Sequence, residues 1–316
     1  MALQFLTRQN KVANLVFTDQ AIRYIELAPG QKLEINKMAE KIMGPGKITN
    51  GKIVDFPSLR IILEQCVEEW GLKRKQVRFH IPDLHIVVRQ VSIPQDIRED
   101  ELQGYLFLEM GSTIHLPFDE PIFDSVMLPN AGKERNILLI AAPEDVVHSY
   151  TTLLNEVKLR PVAADIAPLS LYRLCYHFNQ ADSEDHVMIL NMHDTLLTIS
   201  IFHQHIPIFM RPVKIQESPV HILDVEEVDN PIYLLEDTFR EIEKVMNFYA
   251  YSLNQGTAEI SQILLSGDHP QLTAIHDHLS ERFVTNIDYV RTNIGEQSIS
   301  PAFATVLGLA MKEVGK

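Results

Sequence analysis

The stretch NLVFTDQAIRYIEL, residues 14–27, contains two short apolar segments joined by a polar turn. A second stretch, MILNMHDTLLTISIF at residues 188–202, has the same arrangement. A strand, a tight turn and a returning strand that occur twice predict a duplicated core. Paired hairpins of this kind can form the two walls of a nucleotide cleft, where turn amides face phosphates. The aligned turn positions are Val16 with Asn191, Thr18 with His193, and Asp19 with Asp194.

The overall composition is that of a globular protein with an acidic balance. Of 316 residues, 46% are hydrophobic and 22% are charged, and a chain of this length predicts about two domains. The 42 acidic and 28 basic residues give a formal net charge of -14. Because this charge repels phosphate backbones and anionic lipid, we expect no direct binding to nucleic acid.

Cysteine usage and hydropathy favour a cytoplasmic protein. Cys66 and Cys175 are far apart and lie in helical apolar patterns, which favours buried, reduced thiols. The first residues lack the long apolar segment and cleavage site of a secretory signal. No window reaches the ~20 apolar residues of a membrane-spanning helix. We expect the protein to reach the membrane only through partners.

Apolar periodicity divides the chain into a first lobe, a small internal module and a second lobe. Residues 56–72 and 98–110 show helical patterns, and the second of these begins with the acidic run REDE. Residues 78–161 contain enough predicted strands and helices for a separate αβ module. The polar run QADSED is the best linker before a second lobe. A long helix is predicted over residues 234–253, and the apolar residues 301–314 are expected to pack back on the first lobe.

Several longer stretches resemble the family of the type IV pilus assembly protein PilM, a branch of the actin-like superfamily that is related to the cell-division protein FtsA. The similarity covers nearly the whole chain. The stretches are GKIVDFPSLRIILEQCVEEWGLKRKQVRFHIP (51–82), DELQGYLFLEMGSTIHLPFDE (100–120), SYTTLLNEVKLRPVAADIAPLSLYRL (149–174), FREIEKVMNFYAYSL (239–253) and PAFATVLGLAMKEVG (301–315).

The resemblance implies an α/β, actin-like two-lobed fold with a duplicated RNase H-like core and an inserted αβ subdomain like that of FtsA. It divides the chain into 1–77 and 162–181 (first lobe), 78–161 (insert), 182–299 (second lobe) and 300–316, a C-terminal helix that returns to the first lobe. It also implies a partner. Family members bind the cytoplasmic tail of the membrane protein PilN, in a groove expected here within residues 77–165.

The implied nucleotide cleft departs from what an actin-like ATPase needs. Such a site requires carboxylates that organise hydrated Mg²⁺ and glycines that let backbone amides approach phosphate oxygens. At the family's first aspartate and turn glycine this chain has Val16 and Thr18, and the second hairpin has Asn191 and His193. In the implied adenosine loop, SGDHP, Gly267 is kept but Asp268 replaces a small residue.

Three aspartates could compensate. Asp19 and Asp194 each follow a missing carboxylate by three positions, and Asp165 matches an aspartate that the family often carries near the cleft floor. A relocated Mg²⁺ site is one interpretation. The other is that Asp19 and Asp194 cap their own turns. The 13 histidines show no metal-ligand spacing, so we predict neither a metal site nor catalytic residues.

Two hypotheses follow. The first is a non-catalytic scaffold, or pseudo-ATPase, of a type IV or competence pilus that binds a PilN-like tail and has a degenerate cleft. The second is an active ATPase that binds ATP and Mg²⁺ through the shifted aspartates and polymerises. A structural protein of the same fold outside the pilus system is a weaker third option.

Overall fold

The computed structural model describes residues 12–30, 33–129, 135–215, 231–295 and 297–312. In chain order its first half contains β1 (Ala13–Phe17), β2 (Ala21–Leu27), β3 (Ile35–Ile42), β4 (Ile48–Thr49), β5 (Lys52–Ile53), α1 (Phe56–Glu69), β6 (Gln76–His80), β7 (Val87–Ile93), α2 (Leu102–Glu109), β8 (Pro121–Met127), β9 (Arg135–Pro143), α3 (Glu144–Glu156), β10 (Arg160–Asp165) and α4 (Ala167–His177). Its second half contains β11 (Val187–Met192), β12 (Leu196–His203), β13 (Ile206–Lys214), α5 (Glu236–Asn247), β14 (Gln262–Gly267), α6 (Leu272–Arg282), β15 (Asn286–Tyr289) and α7 (Ala304–Ala310).

Two five-stranded sheets have the same strand order, which confirms the predicted duplication. The first is ordered β3-β2-β1-β6-β10 and the second β13-β12-β11-β14-β15. In each sheet the two strands of a predicted hairpin pair antiparallel, β1 with β2 and β11 with β12. The first strand of each hairpin also pairs parallel with a later strand, β1 with β6 and β11 with β14. Both central hairpins are buried on both faces, which explains why their strands read as continuous apolar runs.

A separate three-stranded antiparallel sheet, in the order β7-β9-β8, lies between β6 and α3 in the chain. Its strands cover residues 87–143, which is a narrower range than the insert predicted at 78–161. The difference lies at the two ends. Strand β6 pairs with β1 and β10 in the first sheet, and α3 buries Tyr150 and Leu153 in the first lobe's core.

Helices α4 and α7 fill the space between the two large sheets. One apolar cluster contains Val16 and Ile25 of the first sheet, Ile189 and Leu264 of the second sheet, and residues of both helices. The helices approach closely at Gly308, where an added Cβ would lie 1.9 Å from the Ser170 carbonyl oxygen. The C-terminal helix therefore packs between the lobes and contacts β1 and β2.

Two predicted helices have different bounds in the structure. The first turn predicted at residue 98 is non-helical, and α2 begins at Leu102. In that turn the Glu101 carboxylate accepts a hydrogen bond from the Arg98 amide at 3.2 Å. The helix predicted over 234–253 ends as α5 at Asn247 and continues as a π-helix, Phe248–Leu253. Among the helices of the described residues, none combines the length and apolar character that a bilayer-spanning segment requires.

Candidate functional site

The two hairpin turns close with the same hydrogen bond. The Thr18 amide donates to the Ala21 carbonyl at 2.9 Å, and the His193 amide donates to the Leu196 carbonyl at 2.8 Å. In the first turn the Thr18 hydroxyl also accepts from the Ala21 amide at 3.0 Å. The turns are therefore structural equivalents.

A cavity of about 90 Å³ lies between these turns. This volume alone is below the ~300–1,000 Å³ that is common for small-molecule sites. A second cavity of about 520 Å³ shares Asp268 with it and is also lined by Gly267 and His269. Most of the predicted cleft positions meet in the first cavity, whereas Gly267 and Asp165 are outside its lining. The predicted positions that line it are Val16, Thr18, Asp19, Asn191, His193, Asp194 and Asp268.

Asp19 holds a neighbouring turn of its own lobe. Its carboxylate accepts hydrogen bonds from the backbone amides of Asn50, at 2.7 Å, and Gly51, at 3.0 Å. Both of these residues have positive φ, so the turn between β4 and β5 has a backbone conformation that needs such support. The Gly51 carbonyl in turn accepts from the Tyr150 hydroxyl at 3.0 Å. Asp19 thus acts as a turn cap.

Asp194 joins the second hairpin turn to the first. Its Oδ2 accepts a hydrogen bond of 2.8 Å from Nε2 of Gln20, which lies one residue beyond Asp19. This contact is exposed to solvent, so its contribution to stability is modest. It nevertheless places a side-chain bridge directly across the mouth of the cavity.

A partly buried ion-pair network crosses the cleft behind this bridge. Arg23 lies on β2 with 5% of its side chain exposed, and its Nη2 is 2.7 Å from Asp268 Oδ2 in the second lobe. The other Asp268 oxygen pairs with His193 Nδ1. Arg23 Nε is also 2.6 Å from Glu40 on β3. We call the Arg23, His193 and Asp268 network the cleft clasp.

The clasp changes the proton affinity of Asp268. Burial acts to raise the pKa of this carboxyl, but His193 and Arg23 outweigh that effect and hold the pKa well below its usual range. Asp83, which also lines the cavity, has the opposite balance: burial raises its pKa to about 6. The cavity therefore joins one firmly ionised carboxylate and one that titrates in mildly acidic solution.

Val16 and Asn191, where the resemblance implies carboxylates, are both buried. The side-chain nitrogen of Asn191 lies 3.1 Å from His193 Nε2, while its Oδ1 has no hydrogen-bond partner among the described residues. A valine side chain has no atom that coordinates a cation or orients a water. Neither position supplies the charge that a Mg²⁺ ion would require.

Gly267 is explained by packing. Its φ is +122°, and an added Cβ would lie 1.9 Å from the Met192 carbonyl oxygen. That same oxygen accepts hydrogen bonds from the amides of Asp268, at 3.0 Å, and His269, at 3.1 Å. These loop amides are directed at the protein's own backbone, so they are not available to a ligand.

Asp165 is outside the cavity lining but interacts with His80, which lines it. It is buried, with Arg173 Nη2 at 2.6 Å and Lys312 Nζ at 3.4 Å. Burial acts to raise its pKa, but Arg173, His80 and Lys312 outweigh burial and lower it. Asp165 therefore ties α4 and the end of α7 to the first sheet, and the structure does not bring it to the hairpin turns.

Sequence reasoning missed the basic partner of the cleft. Arg23 stands in the apolar strand segment AIRYIEL, where its neighbours are buried. A charged residue inside an otherwise apolar strand is a signal for a buried ion pair, because burial without a partner is costly. The signal was present, but the partner, Asp268, is distant in sequence. No group of three or more metal-ligand side chains occurs within the described residues.

Two similar sheets, helices packed between them and a cleft lined by two equivalent hairpin turns define the actin-like class of proteins. Within that class, a family model described as type IV pilus assembly protein PilM matches residues 15–215, more than half of the chain. The chain belongs to this family, as its sequence predicts, and the actin-like two-lobed fold is confirmed. A search of curated proteins gave no match to this sequence.

Solved structures agree on the fold. A chain of the "PilM-PilN type IV pilus biogenesis complex" has 18% identity and a TM-score of 0.78, with 95% of this chain and 98% of that chain covered. The ethanolamine utilization protein EutJ from Carboxydothermus hydrogenoformans has 10% identity and a TM-score of 0.54, with coverage of 95% and 89%. MreB5 of Spiroplasma citri bound to ADP has 9% identity and a TM-score of 0.53, with 95% of both chains covered.

Proposed function

We propose that this member of the PilM family is a non-catalytic scaffold of a type IV or competence pilus. It binds the cytoplasmic tail of a PilN-like membrane protein and is held at the cytoplasmic face of the membrane through that partner. Family membership and the similarity to a chain of a PilM-PilN complex support the partner. The observation that carries the non-catalytic reading is the cleft clasp, in which side chains from both lobes meet across the nucleotide position.

The residues of the cleft do not fit a Mg²⁺-nucleotide. Asp19 already accepts two backbone amides, and Asp194 already accepts Gln20. The amides of Asp268 and His269 bond to Met192. The carboxylates that line the cavity add negative charge, which opposes a polyphosphate unless a metal neutralises it. We therefore propose that no nucleotide or Mg²⁺ acts as a cofactor.

For the tail we propose the exposed β8 margin of the three-stranded sheet, on the face opposite α2; farther along this face, Ile140 and Ala142 are covered by other parts of the chain. On β8, Phe123 and Met127 pack with α2, whereas Ile122 and Val126 alternate to the other face with 43% and 58% exposure. Strand β8 is also an edge of its sheet, with β9 on one side only among the described strands. An extended peptide can add to such an edge and place alternate side chains on the apolar face.

Binding of a synthetic peptide with the sequence of that tail, followed by fluorescence anisotropy on the full chain, tests the partner. We expect saturable binding that is at least ~10-fold weaker in the double variant Ile122→Asp with Val126→Asp, a loss of about 1.4 kcal/mol. The matched control is Tyr251→Asp, at an exposed apolar position of the second lobe. A tail peptide that does not bind the wild-type chain would refute the proposal.

A separate titration tests the cleft, with a fluorescent ATP analogue and Mg²⁺ as the probe. We expect no saturable binding. Saturable binding that is abolished by Asp19→Ala or Asp194→Ala would instead support the second hypothesis, an active ATPase that uses the shifted aspartates and could polymerise.

A further inference from the structure

Helix α2 exposes two large apolar side chains at consecutive positions. Phe107 is 74% exposed and Leu108 is 76% exposed, while Leu102 and Leu106 of the same helix are buried against the three-stranded sheet. A helix that is apolar on its outer side as well as its inner side is normally covered by a partner. We call Phe107, Leu108 and Gly104 the α2 patch.

Gly104 leaves an open position on the same helix, next to these two side chains. It lies one helical turn before Leu108, and a Cβ added to it would meet no described atom within 4 Å. A glycine inside a helix lowers helix stability by about 1 kcal/mol relative to alanine. No contact among the described residues requires glycine at this position, so packing does not explain the lower helix stability. A small residue between two exposed apolar side chains leaves a notch that suits close approach by another backbone.

The charges around the patch are acidic. Asp100 and Glu101 precede α2 and Glu109 ends it, and the helix sequence LQGYLFLE contains no basic residue. The nearby Arg98 already pairs with Asp100 at 3.4 Å and Glu101 at 2.8 Å. The acidic residues around the patch, Asp100, Glu101 and Glu109, which we call its acidic frame, therefore favour a basic partner. They disfavour an anionic membrane, and they disfavour a second copy of a chain whose net charge is -14.

We propose that the α2 patch docks a basic amphipathic segment of another protein, with one or two apolar side chains over Phe107 and Leu108 and Lys or Arg near the acidic frame. The patch lies on the opposite face of the sheet from Ile122 and Val126, since α2 packs with the alternate residues of β8. The inference does not rest on the proposed PilN-like partner, and both surfaces can be occupied at once.

Selection from a random peptide library on the immobilised full chain tests this chemistry, with the double variant Phe107→Asp and Leu108→Asp used for counter-selection. We expect enriched peptides with apolar residues at helical spacing and several Lys or Arg. A fluorescent copy of such a peptide should bind the wild-type chain and bind the double variant at least ~10-fold more weakly. Binding should also weaken at high salt. Circular dichroism checks that the variant is folded.

Two further variants separate docking from structure. Gly104→Gln should raise the Tm, because glutamine is a better helix former, and yet weaken peptide binding by filling the notch. Ile122→Asp with Val126→Asp, on the opposite face, should leave peptide binding unchanged. The proposal is overturned if no peptide is enriched, if enriched peptides are acidic or bind the Phe107 and Leu108 variant equally well, or if they compete for the Ile122 face. A dimer, or binding to anionic vesicles, that is lost in that variant would also overturn it.

Discussion

Arg23 in the first lobe and Asp268 in the second lobe form an ion pair across the cleft, with Arg23 Nη2 at 2.7 Å from Asp268 Oδ2. The resemblance to actin-like proteins implies a nucleotide cleft in this space. Here the connection between the lobes is made by the protein's own side chains, and His193 adds a second contact to the same carboxylate. Side chains of both lobes therefore contact each other directly across the cleft.

Asp268→Asn should lower the free energy of unfolding by roughly 1–2 kcal/mol, because the pair across the cleft loses its negative charge, whereas Arg23 keeps Glu40 as a partner. Urea denaturation measures the change. Lys244→Ala is the control, since the pair between Lys244 and Glu241 is exposed and is expected to contribute less than ~0.5 kcal/mol. Equal effects of the two substitutions would contradict a stabilising role for the clasp.

Asp83→Asn should change the pH dependence of stability. Burial raises the pKa of Asp83 to about 6 in the folded state, above its unfolded value near ~3.9. The neutral form is favoured on folding, so the wild type loses stability relative to the variant as the pH rises from about 4 through about 6. The difference should approach roughly 2–3 kcal/mol above that window. Urea denaturation across the pH range measures it, and a constant difference would rule out the titration.

Gly267→Ala should destabilise the protein severely, because the new Cβ would overlap the Met192 carbonyl oxygen and the backbone has a positive φ. We expect a loss of at least ~3 kcal/mol in thermal or urea unfolding. Gly104→Ala provides a control of opposite sign. At that open helical position alanine should add about 0.5–1 kcal/mol. A mild effect at Gly267 would mean that the close approach to β11 is not required.

Asp19→Ala should lower stability by about 1–2 kcal/mol, since two backbone amides lose their acceptor. Asp19→Asn keeps an acceptor oxygen and should cost less. We expect Mg²⁺ and ATP to leave the Tm of the wild type and both variants unchanged, because we propose that neither ligand binds. A ligand present at 100 times its Kd would stabilise the folded state by about 2.7 kcal/mol, which would raise the Tm measurably. A Mg²⁺-dependent rise in Tm that only the wild type shows would favour the relocated metal site.

The hairpins could be predicted from the sequence because their apolar runs and polar turns are local features. The contacts across the cleft could not, since Arg23 and Asp268 are far apart in the chain and meet only when two sheets pack around α4 and α7. Asp165 shows the same limit. Its position before α4 resembles a cleft residue, but its ion pairs with Arg173 and Lys312 depend on how α4 and the C-terminal residues pack, which the sequence does not show. Likewise, the sequence suggests that Gly267 is there to admit a ligand, whereas the structure shows that a Cβ at this position would overlap the Met192 carbonyl oxygen.

The shared apolar layer between the sheets has a mechanical consequence. Hinge opening would expose residues of α4 and α7 together with Val16, Ile25, Ile189 and Leu264 to water. The two lobes should therefore move as one stiff body. A force applied to one lobe would therefore displace the other lobe with it, without hinge motion between the two.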